Sequence, residues 1–177
     1  VLRGQLARNE EIEKAGDFID YASLPCCVIG VCGGDGIGPM ITASARRVLE
    51  HMLSNEIAAG KIKIVDIGGL TIENRVAHMQ AIPDDVMAQL KACHVILKGP
   101  TTTPRAGDPW PNIESANVAM RKALDLFANV RPVKVPDQGI DWTFFRENTE
   151  GSYAVGSQGI HVTPQLGVDF CVTTTEG

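Results

Sequence analysis

The sequence lacks any apolar run near the roughly 20 residues that a membrane-spanning helix needs, so no membrane protein is expected. It also lacks a CxxC pair. Its cysteines, Cys26, Cys27, Cys32, Cys93 and Cys171, are odd in number and two are neighbours, which speaks against a disulfide framework or a zinc site and suits reduced, buried thiols. The four histidines, His51, His78, His94 and His161, are dispersed without metal-ligand spacing and read as structural or solvated. No Ser–His–Asp or Cys–His arrangement can be assembled. Lysine and arginine do not cluster and the net charge is −5, which argues against a nucleic-acid surface and leaves anion binding to local groups. The opening VLRGQLARNEEIEKAG has no apolar signal core. Neither an internal repeat nor a low-complexity tract is present.

What the chain does have is 44% hydrophobic and 21% charged residues over 177 positions, the proportions of a soluble globular protein, and its thiols fit a cytosolic or matrix-like compartment. That length suffices for one domain, or for one domain and part of a second. The chain begins at Val1 without an initiator Met and stops in the strand-like CVTTTEG, so a segment of a longer protein is expected.

Residues 1–24 read as a polar extension with a short helix and a linker. From Pro25 the pattern sharpens. CCVIGV (26–31) is a continuous apolar run, as in a strand covered on both faces of a parallel sheet. The turn GGDGIGP (33–39) leads into a helix over 39–53, with Pro39 in the first turn and Ile41, Ala45, Val48, Leu49 and Met52 at helical spacing. KIKIVDI (61–67) alternates like a strand, IPDDVMAQLKAC (82–93) reads as a helix, and HVILKGP (94–100) as a second buried strand. Strand, helix, strand, helix, strand predicts a mostly parallel α/β sheet. The Pro-rich TTTPRAGDPWPNIE (101–114) must be a long loop, followed by a helix over about 115–127, a strand at 130–135, a strand and turn within 141–154, and short β pieces beyond.

Several residue groups invite a functional reading beside a plain one. GGDGIGP could bring backbone amides to a phosphate, but its glycines alternate and position 39 is Pro, so a tight strand-to-helix turn explains it equally. KGPTTTP (98–104) follows a buried strand, where α/β proteins place ligand loops, although threonines in turns are often local caps. Ser115 stands at an N-cap position, and Asn117 and Arg121 share a helix face four residues apart, making an anion cradle or a solvated helix start. Arg131 and Arg146 are flanked by apolar residues that should be buried, and buried arginine demands an anionic partner. Three guanidiniums meeting at one cleft would suit a ligand with several carboxylates, unless Glu147 or Asp125 neutralises one of them. Tyr153 would be an ordinary boundary residue, or, beside guanidiniums that lower its pKa, a proton donor or acceptor.

GDGIGP after the first strand, LKGPTTTP, SANVAMRKALDLFANVRPVKV and FRENTEGSYA, in this order, closely resemble the isocitrate and isopropylmalate dehydrogenases, over about residues 26–160. The resemblance implies an open α/β sheet with a large and a small domain around a cleft. Residues 25–129 would begin the large domain and 130–177 the small, dimerisation domain. It implies that Arg121, Arg131 and Arg146 bind substrate carboxylates and that Ser115 and Asn117 contact the carboxylate that marks isocitrate. Thr102, Thr103 and Lys98 would line the nicotinamide side of NAD or NADP, with Asn117 nearby. Tyr153 would protonate the carbon left after carbon dioxide departs. Ligands for Mg2+ or Mn2+, a catalytic lysine from the partner of a homodimer, and the adenosine loop are expected beyond this segment. The Ser-x-Asn-x-x-x-Arg spacing favours isocitrate, a tricarboxylate. Alternatives are isopropylmalate, homoisocitrate or tartrate oxidation, or a non-catalytic subunit that binds citrate. A cytoplasmic location is implied, or the mitochondrial matrix in a eukaryote. RAGDPWPNIE is longer than usual in bacterial isocitrate enzymes, and Met40 stands where an acid often follows GDGIGP.

Overall fold

Six residues that are apolar or glycine throughout, Cys27–Cys32, form β1, and the last four of them are buried. In a computed structural model that describes residues 1–15, 18–105, 107–156 and 159–175, β1 is the middle strand of a parallel sheet of order β2-β1-β3, with β2 at Ile62–Asp66 and β3 at Val95–Lys98. Four successive buried residues mean that both faces of β1 are covered over that stretch, which is why it is apolar at successive positions. Ala106 of the long loop and Glu176 and Gly177 of the final predicted run lie outside the described residues.

The chain divides into two units, Ile19–Met120 and a second made of Val1–Phe18 with Arg121–Gly177. In the first, helix α2 (Gly38–Met52) has Pro39 in its opening turn, followed by α3 (Ser54–Ala58), α4 (Ile72–Ala77) and α5 (Asp84–Lys91). Helix α5 opens on Asp84 and Asp85, which complement the positive end of the helix, and buries Val86 and Leu90 one turn apart. With Ile29, Val31, Cys32, Ile67, Leu70, Ile72, Ile82 and Ile113 these residues make the core. Helix α4 has no counterpart in the sequence reading. At six residues it is too short for a periodic apolar signal, and its start is fixed by the Thr71 hydroxyl, which accepts from the Asn74 N–H.

The stripe on α2 departs from the expected burial. Ile41, Val48 and Met52 are exposed, and Ala45, Val48, Leu49 and Met52 border an open apolar groove with Ile29, Val95, Ile96 and Leu97. The GGDGIGP turn takes the plain role. Gly34 has φ +71°, and a Cβ there would sit 2.1 Å from the Pro100 carbonyl oxygen, while one on Gly99 would sit 2.1 Å from that of Gly33. The glycines let the turn after β1 lie backbone to backbone on the turn after β3.

In the second unit, α1 (Leu2–Ala15) precedes an antiparallel ribbon of β4 (Ala128–Val135) and β5 (Ile140–Glu147), joined through a 3-10 turn at Pro136–Gln138. Helix α7 (Ser152–Val155) and a hairpin of β6 (Ile160–Thr163) with β7 (Leu166–Val168) follow. The expected burial of the residues around Arg131 and Arg146 is not found. Val130, Trp142, Phe144 and Phe145 are 53, 60, 52 and 74% exposed, because among the described residues β4 and β5 pair only with each other and no third layer covers the ribbon.

Helix α6 (Ala116–Ala123) crosses from one unit into the other and ends earlier than its apolar pattern predicts. Its stop is a Schellman motif: the Leu126 N–H donates to the Arg121 carbonyl and the Asp125 N–H to that of Lys122, with Asp125 at φ +49°. Glycine normally marks such a stop, and an aspartate there is a weak sequence signal. Among the described residues no helix is long and apolar enough to cross a membrane.

Candidate active site

Within Ile19–Met120 the predicted cofactor-side residues lie on the turn after β3. Thr102 and Thr103 are exposed. The Lys98 ammonium donates to the Gly99 carbonyl at 2.7 Å and to the Thr101 hydroxyl at 3.3 Å. The Thr102 main chain is held at both its polar atoms. Its N–H donates to Asp35 Oδ2 at 2.6 Å, and its carbonyl accepts from Arg75 Nη1 at 2.6 Å. The other Asp35 oxygen accepts the Ile72 N–H at 2.7 Å, at the start of α4. So the acid inside GGDGIGP binds two main-chain donors of its own fold.

Arg75, on α4, is fully buried. Its remaining bonds go to the carbonyls of Ala81 at 2.7 Å and Glu114 at 2.9 Å. Burial pushes its pKa down and the nearby Asp35 charge opposes that shift. Sequence reasoning passed over Arg75, because a single arginine in a polar stretch carries no pattern. Ser115 is half-buried, and its carbonyl accepts the Ala119 N–H at 3.0 Å, which makes it the N-cap residue of α6 as predicted. Asn117 lies in the first turn of that helix, also half-buried.

In the second unit β4 and β5 place two of the predicted arginines together. Asn129 pairs directly with Arg146 and Arg131 with Phe144, so Asn129, Arg131 and Arg146 share one face of the ribbon. The Arg131 Nε donates to the Asn129 side-chain oxygen at 2.9 Å. Arg146 Nη2 donates to the Tyr153 hydroxyl oxygen, and its guanidinium carbon lies 5.3 Å from the centre of the tyrosine ring. Arginine only donates, so Tyr153 accepts in this pair and its own O–H proton points elsewhere. Among the described residues no carboxylate is in ion-pair range of Arg121, Arg131 or Arg146. The two acids considered as neutralising partners are engaged elsewhere: Asp125 pairs with Arg8 at 2.6 Å, and one Glu147 oxygen accepts from the Thr149 N–H and hydroxyl and from the Glu150 N–H.

These contacts build the turn that carries Tyr153. Glu150, 1% exposed, binds Arg8 Nη1 at 2.7 Å and accepts from the Thr174 N–H and hydroxyl, while its carbonyl accepts the Tyr153 N–H at 3.1 Å. Burial alone would raise the Glu147 and Glu150 carboxyls. For Glu147 the donors of Thr149 and Glu150 outweigh it, and for Glu150 the Thr174 donors and the Arg8 charge do, so both sit below the usual range. A carboxyl depressed on folding stabilises the protein above its unfolded value, about 4.5, and that stability is lost as pH falls through the depressed folded value. Urea titrations should therefore show stability dropping below about pH 4.5, with a shallower drop in Glu150→Gln, which starts weaker at pH 7. Parallel curves for the two proteins would refute this role.

All five cysteines are free, but only Cys32 is buried and Cys171 is exposed. Burial pushes the Cys32 thiol up to about 11 against the opposing Lys98 charge, so it is protonated and unreactive at neutral pH. Among the described residues no three His, Cys, Asp or Glu side chains gather as a metal site. The metal implied by the resemblance finds no ligand set here, and no chemical step is derived through it.

The family model described as isocitrate/isopropylmalate dehydrogenase matches residues 28–176. The chain is 36% identical over 170 residues to an isocitrate dehydrogenase [NADP] of Caldococcus noboribetus, covering 85% of this chain and 34% of that protein. It is 33% identical to a 3-isopropylmalate dehydrogenase of Staphylococcus haemolyticus, over 80% of this chain and 43% of that one. Among solved structures, an isocitrate dehydrogenase from Methylococcus capsulatus matches with a TM-score of 0.60 at 29% identity, covering 84% of this chain and 43% of its own. The chain thus spans between a third and a half of the length of these relatives. A family match over most of the chain, together with a relative 36% identical over 85% of it, shows that this chain belongs to the isocitrate/isopropylmalate dehydrogenase family.

Proposed function

We propose that this chain is the N-terminal part of an isocitrate dehydrogenase, which oxidises the substrate 2-hydroxyl and releases the β-carboxylate as carbon dioxide to give 2-oxoglutarate. The observation that carries the reading is the Arg146–Tyr153 pair, a guanidinium without an internal carboxylate bound to a phenol. Arg146 keeps four further N–H donors for a substrate carboxylate, and Arg131 stands on the same ribbon face to add a second fork. Arg121, one helical turn beyond Asn117, supplies a third. By occupying the phenol oxygen, Arg146 directs the Tyr153 proton away from itself, which suits its delivery to carbon after decarboxylation.

Ser115 and Asn117 would meet the carboxylate that distinguishes isocitrate from isopropylmalate, since a polar pair at the start of α6 offers an isopropyl group no apolar contact. Exposed Thr102 and Thr103, with Lys98 bound to the neighbouring Thr101, are the residues that would hold the nicotinamide end of the cofactor. NAD or NADP supplies the hydride acceptor. NADP is the first to assay, given the relative named for it. A homodimer in the cytoplasm, with Mg2+ or Mn2+, completes the proposal.

The test is a steady-state assay of the purified full-length protein with isocitrate, isopropylmalate, homoisocitrate and tartrate, each with NADP and with NAD. The expected result is a kcat/KM for isocitrate at least ~100-fold above the other acids, as a site built for a polar group rejects a partner lacking it. Preference for isopropylmalate would move the assignment within the family. Citrate binding without turnover of any acid would overturn it in favour of a regulatory subunit.

A further inference from the structure

We propose that Arg75 and Asp35 are positioning residues that fix the cofactor-side Thr102 and the substrate-side Ser115 in one frame. The inference rests on the roles given above to Thr102 and Ser115. All four residues lie in the unit Ile19–Met120. Thr102 is near the start of the loop between β3 and α6, and Glu114 ends it, directly before Ser115. A loop that long, with four prolines but no strand or helix among its described residues, has little of its own to hold its ends at a set spacing. Arg75 supplies the spacing. One planar guanidinium donates to the carbonyl of Thr102 through Nη1 and to that of Glu114 through Nη2, while Nε is held by Ala81. The three acceptors come from three separate stretches of chain, and the fork geometry dictates where two of them stand relative to each other.

Asp35 acts on one end only. Its carboxylate accepts the Thr102 N–H and the Ile72 N–H, so it grips Thr102 from the opposite side of the same residue and anchors it to the helix that carries Arg75. An arginine with no role beyond filling the core would leave the Thr102 main chain with one partner. Here both main-chain polar atoms of that residue, one from each flanking peptide, are taken by charged side chains, which are the stronger kind of hydrogen-bond partner. Neither Arg75 nor Asp35 is assigned contact with substrate or cofactor. They act by holding Thr102 and Ser115.

The difference between one end and two ends gives the test. In the full-length protein, Arg75→Lys keeps the charge but replaces a three-way fork with a single ammonium that cannot reproduce both carbonyl contacts. It should raise KM for cofactor and for the 2-hydroxy acid together, each about ten-fold, as small misplacements of binding groups do. Asp35→Ala frees only the Thr102 end, and should raise the cofactor KM about ten-fold while moving the acid KM less than about two-fold. Val86→Ala, a core truncation on α5, is the control for lost stability. Its melting temperature falls, and both KM values should stay at wild type. Arg75→Lys values equal to those of Val86→Ala overturn the proposal even if Arg75→Lys melts lower. Should Arg75→Lys yield no folded protein, Asp35→Ala decides, and a cofactor KM at wild type there overturns it. A wild-type enzyme that turns over no 2-hydroxy acid overturns the functional reading and this inference with it. Wild-type turnover with unmoved KM values in the variants overturns this inference alone.

Discussion

Tyr153→Phe in the full-length protein should lower kcat by roughly 10²–10⁴ while leaving KM for the acid nearly unchanged, the loss typical of removing a general acid. The argument starts from the pair on the ribbon. Arg146 Nη2 uses the phenol oxygen as acceptor, so the proton is the part of the phenol group that Arg146 does not engage. Phenylalanine keeps the ring under the guanidinium and with it the cation–π contact, while deleting that proton. Carboxylate binding should survive and protonation should not. A second readout separates this from a general loss of activity: with the proton donor gone, the hydride and decarboxylation steps still proceed, so a single turnover should still reduce cofactor. Unchanged steady-state turnover would remove Tyr153 from the chemistry and reopen the regulatory-subunit reading.

Arg121→Ala should lower kcat/KM for isocitrate by about 10²-fold, equivalent to ~3 kcal/mol, as expected when one member of a hydrogen-bonded charge pair is truncated. Arg121 has no acid of its own among the described residues. Its removal therefore strands no internal carboxylate, and the effect should fall on the ligand rather than on stability. Arg121→Lys should recover only part of the loss, because an ammonium cannot make the paired bonds of a guanidinium to a carboxylate. The cofactor KM should not change. Wild-type kinetics in Arg121→Ala would sink the polyacid assignment.

The chain announces its parallel sheet openly and its clamps hardly at all. CCVIGV is legible because a strand covered on both faces must be apolar at successive positions, and β1 falls on it. HVILKGP locates β3, but among the described residues as an edge strand with Val95 exposed and no residue of the strand buried, so its expected burial is not found. Helices α2 and α5 are legible from proline or paired acids at their starts. The motifs that carry the family resemblance are legible as strings, and the family match covers them. Helix α4 and the stop of α6 are not, since one is under two turns long and the other depends on an aspartate in a left-handed conformation. Arg75 is illegible for a deeper reason. Its partners are three main-chain carbonyls, and a carbonyl is the same in every residue, so no pattern in the sequence records where they are. The apolar runs around Arg131 and Arg146 mislead in the opposite sense, since the ribbon they form stands uncovered among the described residues.

Helix α1 contributes no buried residue and looks dispensable, yet Arg8 reaches from it to both Asp125 and Glu150. Cutting away the first 18 residues to obtain a tidier protein would strip the counter-ion from an acid that is 1% exposed, and an unmatched charge in such a place is costly enough to reshape its surroundings. The damage would surface three residues further on, at Tyr153, so a shortened version that folds but fails to work would be reporting on an amputated salt link rather than on the chemistry.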